Sequence, residues 1–186
     1  MAQGWEGDKV RLVPLDKERH LENALAWIND PEITAWTLIG DLPLTRFAEV
    51  AFFERRGGPE DGEVSFAIET LAGEHIGFSG LHRIDWRNGF AATGTLLGRR
   101  DLWGQGYGSD AARVRTRYAF EVLGLRMLIS EVMADNVASH RMLLKAGYRE
   151  VGRLPRRYWK RGAYRDAVIL VAERESRDAT SAGRSS

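Results

Sequence analysis

The 186-residue chain contains no cysteine, which excludes thiol nucleophiles, thiolate zinc sites and any disulfide framework and agrees with a reducing compartment. An excess of one charge is missing too. With 27 basic and 26 acidic side chains the formal net charge is +1, so bulk electrostatics do not point to a nucleic-acid binder and any basic patch has to be local. No apolar run approaches the length that spans a bilayer, and Met1 to Lys9 lacks the apolar core of a signal peptide. The expectation is a soluble, cytoplasmic protein, monomeric or homodimeric, with no membrane or nucleic-acid partner. What is present, 44% hydrophobic and 28% charged residues with 20 Gly and 5 Pro, is the composition of one globular domain. A chain of this length buries roughly two thirds of its unfolded surface and needs no structural metal.

Lys9 to Leu15 alternates apolar and polar positions, the period of a half-buried strand, and Pro14 marks an edge or a strand end. From Asp16, an expected N-cap, Leu21, Leu25 and Ile28 recur at helical spacing until Asp30-Pro31. A second helix is expected after Pro43, ending at Gly57-Gly58-Pro59. Val64–Leu71, His75–Ile84 and Phe90–Leu97 read as an antiparallel meander. Gly106 to Leu123 places Ala111, Val114, Tyr118, Ala119 and Val122 on one helical face, with Arg113, Arg115 and Arg117 facing elsewhere, and Gly124 stands at the C′ position. A strand over 127–134, a helix over 136–146 and two closing strands, 148–154 and 163–172, follow. The order β-α-α-β-β-β-α-β-α-β-β predicts a single α/β domain over residues 1–172, of the α+β type, with a mixed sheet and one strand-helix-strand crossover. Residues 173–186 carry no large apolar side chain and are expected to be a disordered tail.

The most informative segment is Leu97–Ala112, LGRRDLWGQGYGSDAA, in which a strand ends, Gly104, Gly106 and Gly108 alternate, and a helix begins. Glycines let a backbone approach a ligand, and a first helical turn offers unpaired N–H groups with the positive end of the macrodipole behind them. A phosphate or pyrophosphate is the expected occupant; the alternative is a tight turn that only reverses the chain. A Walker A loop is excluded because the segment has no lysine. A Rossmann fingerprint fits poorly, since Ser109 stands where its third glycine belongs and the turn follows a meander.

The segment resembles the acyl-CoA-binding motif of the GNAT superfamily of N-acetyltransferases, Gln/Arg-x-x-Gly-x-Gly/Ala, here Trp103-Gly104-Gln105-Gly106-Tyr107-Gly108. Trp103 departs from the commonest first residue, yet WGxGYG is similar to the branch of RimJ/RimL-type ribosomal-protein N-terminal acetyltransferases. About thirty residues on, Asn136-Val137-Ala138-Ser139 and Ala146-Gly147-Tyr148 match the second motif of that family. The resemblance spans residues 76–171 and extends less closely from Lys9. It implies the GNAT fold, a mostly antiparallel mixed sheet flanked by helices, and acetyl-CoA as co-substrate without a metal. By the same resemblance the coenzyme lies against Leu97, Arg99, Trp103, Gly104, Gln105, Gly106, Tyr107, Gly108, Ser109, Asn136 and Arg141, with Arg100 close enough to add charge. The bland readings are a solvated loop for Arg99 and Arg100, a surface arginine for Arg141 and an N-cap for Asn136.

Acyl transfer from a thioester to an amine needs a held donor, a deprotonated amine, a stabilised oxyanion and a proton for the departing thiolate. Many family members use a tyrosine seven positions after the asparagine; Leu143 stands there, which leaves Ser139 as the candidate near the sulfur. The strand carboxylate that serves several members as base is replaced by Ala91-Ala92-Thr93. Glu131, His82 and Asp85 remain as candidate bases, with Glu131 the one retained as a catalytic candidate. The resemblance places the oxyanion donor among the backbone N–H groups of Leu96 to Gly98. Trp36 and Tyr164 are candidate substrate-side residues.

The stretch RLPRRYWKRGAYR, Arg153–Arg165, mixes cations and aromatics, a pattern that marks either RNA contact or a solvated hairpin loop beside the substrate; the hairpin loop is favoured. The expected function is acetyl transfer from acetyl-CoA to a primary amine, either a protein N-terminus or a small amine, by direct attack. A non-catalytic acyl-CoA sensor or an RNA-contacting module is the alternative.

Overall fold

A computed structural model of the protein describes residues 5–38, 41–55 and 62–174. Its elements are β1 (Trp5–Glu6), β2 (Val10–Pro14), α1 (Lys17–Ile28), α2 (Pro31–Thr34), α3 (Arg46–Arg55), β3 (Val64–Thr70), β4 (His75–Asp85), β5 (Phe90–Leu97), a 3-10 turn (Arg100–Leu102), α4 (Tyr107–Glu121), β6 (Met127–Met133), α5 (Val137–Lys145), β7 (Arg149–Lys160) and β8 (Ala163–Glu173). One eight-stranded sheet runs in the order β1-β2-β3-β4-β5-β6-β8-β7. Every pairing is antiparallel except β5 with β6, the parallel pair that the crossover through α4 requires.

Apart from the 3-10 turn, the expected element order holds with two additions and one correction. Trp5–Glu6 forms a short strand against Leu12 and Arg11, too brief for any periodicity to reveal. Pro31, read as a stop, starts α2 at its first turn, with the Asp30 side chain accepting from Glu32 N. The basic stretch is not a hairpin loop. It belongs to a long ribbon in which β7 runs to Lys160 and pairs with Ala163, turning on Arg161 (φ 50°) and Gly162 (φ 76°), the two positive angles of a tight hairpin turn. Pro155 sits on edge strand β7 inside a register shift between Leu154 and Tyr158, where a missing N–H costs no ladder bond.

Side chains alternate across the sheet, so pairing defines two faces. One carries Leu12, Ile68, Ile76, Leu81, Ala91 and Leu128 against Ala111, Ala112, Val114 and Ala119 of α4 and Leu143 of α5. The other carries Phe78 against Leu21 and Ala24 of α1 and Phe53 of α3. Two helix-face expectations need correction. Val122 is exposed, whereas Arg115 is fully buried, because its long stem lies against the sheet and brings its head to polar groups there. The expected end of α3 at residues 57–59 and the tail beyond Arg174 lie outside the described residues. Glu173 is the last residue of β8 and pairs with Met127, so the sheet reaches one residue past the expected domain limit.

Candidate active site

The site begins where two strands part. β5 and β6 pair at Phe90–Met127, Ala91–Leu128 and Ala92–Ile129 and no further. Beyond that point β5 continues along β4 as far as Leu97 and β6 along β8 as far as Met133, leaving a gap between them. Strand residues turn their N–H and C=O to alternate edges, and two bonds fix the phase in β5. Gly89 O accepts from Arg126 N at 2.7 Å on the β6 side, and Gly98 N donates to Ile76 O at 2.9 Å on the β4 side. The N–H groups of Thr95 and Leu97 therefore face the gap, as does the main chain of Glu131 on β6. Of the three N–H groups from Leu96 to Gly98 expected to hold the oxyanion, only that of Leu97 points there. Those of Leu96 and Gly98 face β4.

Both helices on the first face start at the mouth of this gap, α4 after β5 and α5 after β6. At the start of α4 the side chains fold the turn upon itself. Trp103 Nε1 donates to Leu97 O at 3.0 Å, and Gln105 Nε2 donates to Asp101 O at 2.7 Å. Gly106 is the N-cap at φ 90°, with no side-chain cap bond. A left-handed N-cap without a side chain leaves the first amides of α4, over Tyr107 to Ser109, directed outward, which suits an anion. Gly104 is open to solvent around its Cα, whereas Gly108 is buried where a methyl group would meet Met142 Sδ at 2.8 Å. The absent Cβ of Gly108 thus serves the contact between α4 and α5.

One residue at this turn escaped the sequence reading. The Lys9 ammonium lies 5.4 Å from the Tyr107 ring centroid, and Lys9 Cε is 3.6 Å from where a Cβ on Gly106 would stand. Asp110 holds it there by accepting from the backbone N–H of Asp8, Lys9 and Val10. Burial pushes the Asp110 carboxyl up, but the Arg113 bond and these three amides outweigh it and keep the carboxyl below its usual range. Lys9 stands about a hundred residues away in sequence, so no local pattern could have linked it to the turn. The arginines expected beside the phosphates are occupied elsewhere. Arg99 pairs with Glu74 and Asp101, and Arg100 with Glu32. Arg141 on α5 is exposed and has no hydrogen-bond or ion-pair partner among the described residues.

Asn136 caps α5, its Oδ1 accepting from Ser139 N at 3.0 Å, while its Nδ2 reaches Trp36 O at 3.5 Å. That second contact ties the loop after α2 to the mouth of the gap and leaves the Trp36 side chain 44% exposed. The Ser139 hydroxyl makes no hydrogen bond among the described residues. Leu143, in place of the family's tyrosine, is part of the core.

Behind the gap lies Arg115, which donates to Ser79 Oγ, Gly94 O and Thr95 Oγ1 at 3.1, 2.7 and 2.7 Å. Tyr148 OH lies 3.5 Å from its Nη2. No carboxylate pairs with it among the described residues, and its Nε and the nearby Thr93 Oγ1 are buried without partners. A buried cation held only by neutral oxygens keeps positive potential beside the gap. Because it replaces an apolar residue on an amphipathic helix, its own spacing gave no sign that it turns inward.

On the opposite face Glu131 accepts from Tyr158 OH and from Arg157 Nε, the latter at 2.9 Å. Burial pushes its carboxyl up, yet these two bonds outweigh it and hold the group below its usual range; burial and the same carboxylate push the Tyr158 hydroxyl up. His82, opposite Ala92 in the β4–β5 ladder, shares this face. Asp85 accepts two bonds from Asn88 in the turn after β4, at the far end of the strand from the gap. On the ribbon, Tyr164 lies beneath Arg156 at 3.9 Å and meets Trp159 edge to face at 4.8 Å. A cleft of about 690 Å³ separates the ribbon tip at Trp159, Arg161 and Gly162 from Asn29, Asp41 and Leu42, and its lining includes no residue of the gap. Among the described residues no cluster of potential metal ligands occurs, and no helix is long and apolar enough to cross a membrane.

Parted parallel strands with a glycine turn and two helix starts at their mouth form a gap whose outward-directed amides suit an anionic ligand. Residues 9–149 match the acetyltransferase (GNAT) domain, and the chain belongs to that family. It is 43% identical over 151 residues to FsC-acetyl coenzyme A-N(2)-transacetylase of Aspergillus fumigatus, an alignment covering 77% of this chain and 63% of that protein. The chain thus spans under two thirds of that relative's length. Among solved structures, a GCN5-related N-acetyltransferase from Brucella melitensis superposes with a TM-score of 0.72 at 26% identity, covering 91% of this chain and 77% of the other. Spermidine N-acetyltransferase from Vibrio cholerae, in complex with CoA and spermine, has the same fold at 19% identity and a TM-score of 0.78, over 88% and 95% of the two chains.

Proposed function

We propose that the protein is an acetyl-CoA-dependent N-acetyltransferase that moves the acetyl group directly to a primary amine. The observation that carries this reading is the parting of β5 from β6 after Ala92–Ile129, which exposes strand amides between the starts of α4 and α5. In the proposed reaction the amine nitrogen attacks the thioester carbon and the carbonyl electrons move onto oxygen. That attack forms the C–N bond; collapse then re-forms the carbonyl, breaks the C–S bond and leaves the pair on sulfur. The nitrogen gives up a proton and the thiolate gains one. The Thr95 and Leu97 N–H groups would receive the oxyanion, the α4 amides and Lys9 the diphosphate, and Ser139 a hydrogen bond to the departing sulfur.

The activities named for the relatives support acetyl-CoA as donor and nitrogen as acceptor. Both acceptor classes, a protein N-terminus as in the RimJ/RimL branch and a small amine, are carried forward. The RNA-contacting alternative loses support at the ribbon, where five of the six cations face carboxylates and Arg156 lies over Tyr164. Arg157 meets Glu131, Lys160 and Arg161 meet Asp41, Arg165 meets Asp135, and Arg153 meets Glu150. Release of free thiol from acetyl-CoA, measured against a panel of polyamines, aminoglycosides and N-terminal peptides, tests the reading. Amine-dependent release is expected; binding without release for every amine favours the sensor.

A further inference from the structure

We propose that His82 is the general base of the reaction, with Glu63 as its positioning residue; this rests on the acetyltransferase reading above and names a group that reading leaves open. His82 lies opposite Ala92, the last β5 residue paired to β6, so it stands at the closed end of the gap, on the face away from α4 and α5. Its ring occupies the space left by two glycines that pair with each other, Gly80 and Gly94. A methyl group on Gly94 would stand 3.1 Å from His82 Nε2, and one on Gly80 would stand 3.0 Å from Cε1. Two side chains are thus absent where the ring lies, and Nε2 is the ring atom nearest Gly94 of β5. On the other side of the ring, Nδ1 lies 3.9 Å from Glu63 Oε1. At 3.9 Å the carboxylate makes no direct hydrogen bond, but its charge favours the tautomer with the proton on Nδ1, which gives Nε2 the lone pair, and stabilises the imidazolium that forms.

The rival carboxylate is poorly suited. Glu131 lies on the same face of the sheet, but it is engaged by Tyr158 and Arg157, and those bonds hold its carboxyl low, which weakens it as a proton acceptor. Imidazole is the side chain best matched to accepting and releasing a proton near neutral pH. In the step proposed, His82 Nε2 takes the proton from the attacking nitrogen as the C–N bond forms, and the imidazolium returns it to solvent after the thiol leaves. Among the described residues, the charged groups on this part of the face include Glu63, the neighbouring Arg83 and the Glu131–Arg157 pair.

The test compares wild type, His82→Gln and Glu63→Gln in the thiol-release assay from pH 5.5 to 9, with acetyl-CoA affinity measured by calorimetry. His82 is partly exposed, so the fold should survive its replacement; thermal melts check this. In His82→Gln, kcat should fall about 100-fold, the acid limb of the pH profile should disappear, and coenzyme affinity should stay within about twofold. Glu63→Gln should retain the acid limb and move it to lower pH. An active wild type whose His82→Gln variant keeps the same kcat and the same acid limb overturns the assignment of His82 and leaves the acetyltransferase reading intact. A wild type that binds acetyl-CoA but releases thiol to no amine overturns the acetyltransferase reading itself.

Discussion

The two faces of the sheet are built from different chemistry. The face under α4 and α5 is hydrocarbon from Leu12 to Leu170, interrupted by Arg115 with its neutral partners. The face under α1 carries a buried polar chain. His20, fully buried, takes a hydrogen bond from Asp16 N on Nδ1 and contacts Glu69 through Nε2; the His75 ring lies 4.5 Å away and contacts Asn23 and Gly77 O. One face presents fixed backbone donors at its gap and changes little with pH. The other presents imidazoles and carboxylates, whose state depends on the medium. A coenzyme of constant structure suits the first, and an acceptor that must lose a proton suits the second.

The sharpest way to break this contrast is Gly106→Val. A β-branched residue at φ 90° is strained and crowds Lys9, so stabilisation by acetyl-CoA, about 2.7 kcal/mol at one hundred times Kd, should vanish in a thermal-shift titration while the polar face is unaffected. Next in size is acid sensitivity of the polar face. Burial, together with the neighbouring His20, lowers His75 to about 4. The unfolded chain binds this proton below about 6.5 and the folded chain only near 4, so stability present above 6.5 is lost as pH falls between those values. The loss is at most about 3 kcal/mol. Urea melts at pH 7 and pH 4.5 should show it, and His75→Gln should flatten the difference. Lys9→Met sharpens the first face: acetyl-CoA affinity should weaken about fivefold, the size of one exposed charge contact, with its salt dependence reduced. The smallest effect is expected for Ser139→Ala, a fall in kcat of about threefold with Kd for the coenzyme unchanged, since a hydroxyl hydrogen bond to sulfur is weak. An unchanged kcat would remove Ser139 from the reaction.

The face with the fixed donors was the legible one. WGQGYG and NVAS lie within single turns, so local spacing carries their signal, and hydrophobic periodicity located α4, α5 and the meander. The polar face had to be seen folded. His82, one of three candidate bases in the sequence, is singled out only when Gly80 and Gly94 pair beside it, and Glu63 is significant only through the ring it faces. The ribbon misled because Arg161-Gly162 makes a tight turn without the usual Asn or Asp before the glycine, while its cations drew attention that their carboxylate partners cancel. Arg115 misled in the other direction, as an arginine on an amphipathic helix reads as solvent-facing until the polar groups beneath it are known.

Occupation of the gap can be read directly from backbone amide resonances of the 15N-labelled protein during titration with acetyl-CoA. Binding between the parted strands predicts the largest shifts at Thr95, Leu97, Glu131 and Tyr107 to Ser109, with His20, His75 and Glu69 nearly still. Saturable binding that leaves Thr95, Leu97 and the start of α4 unmoved would contradict it.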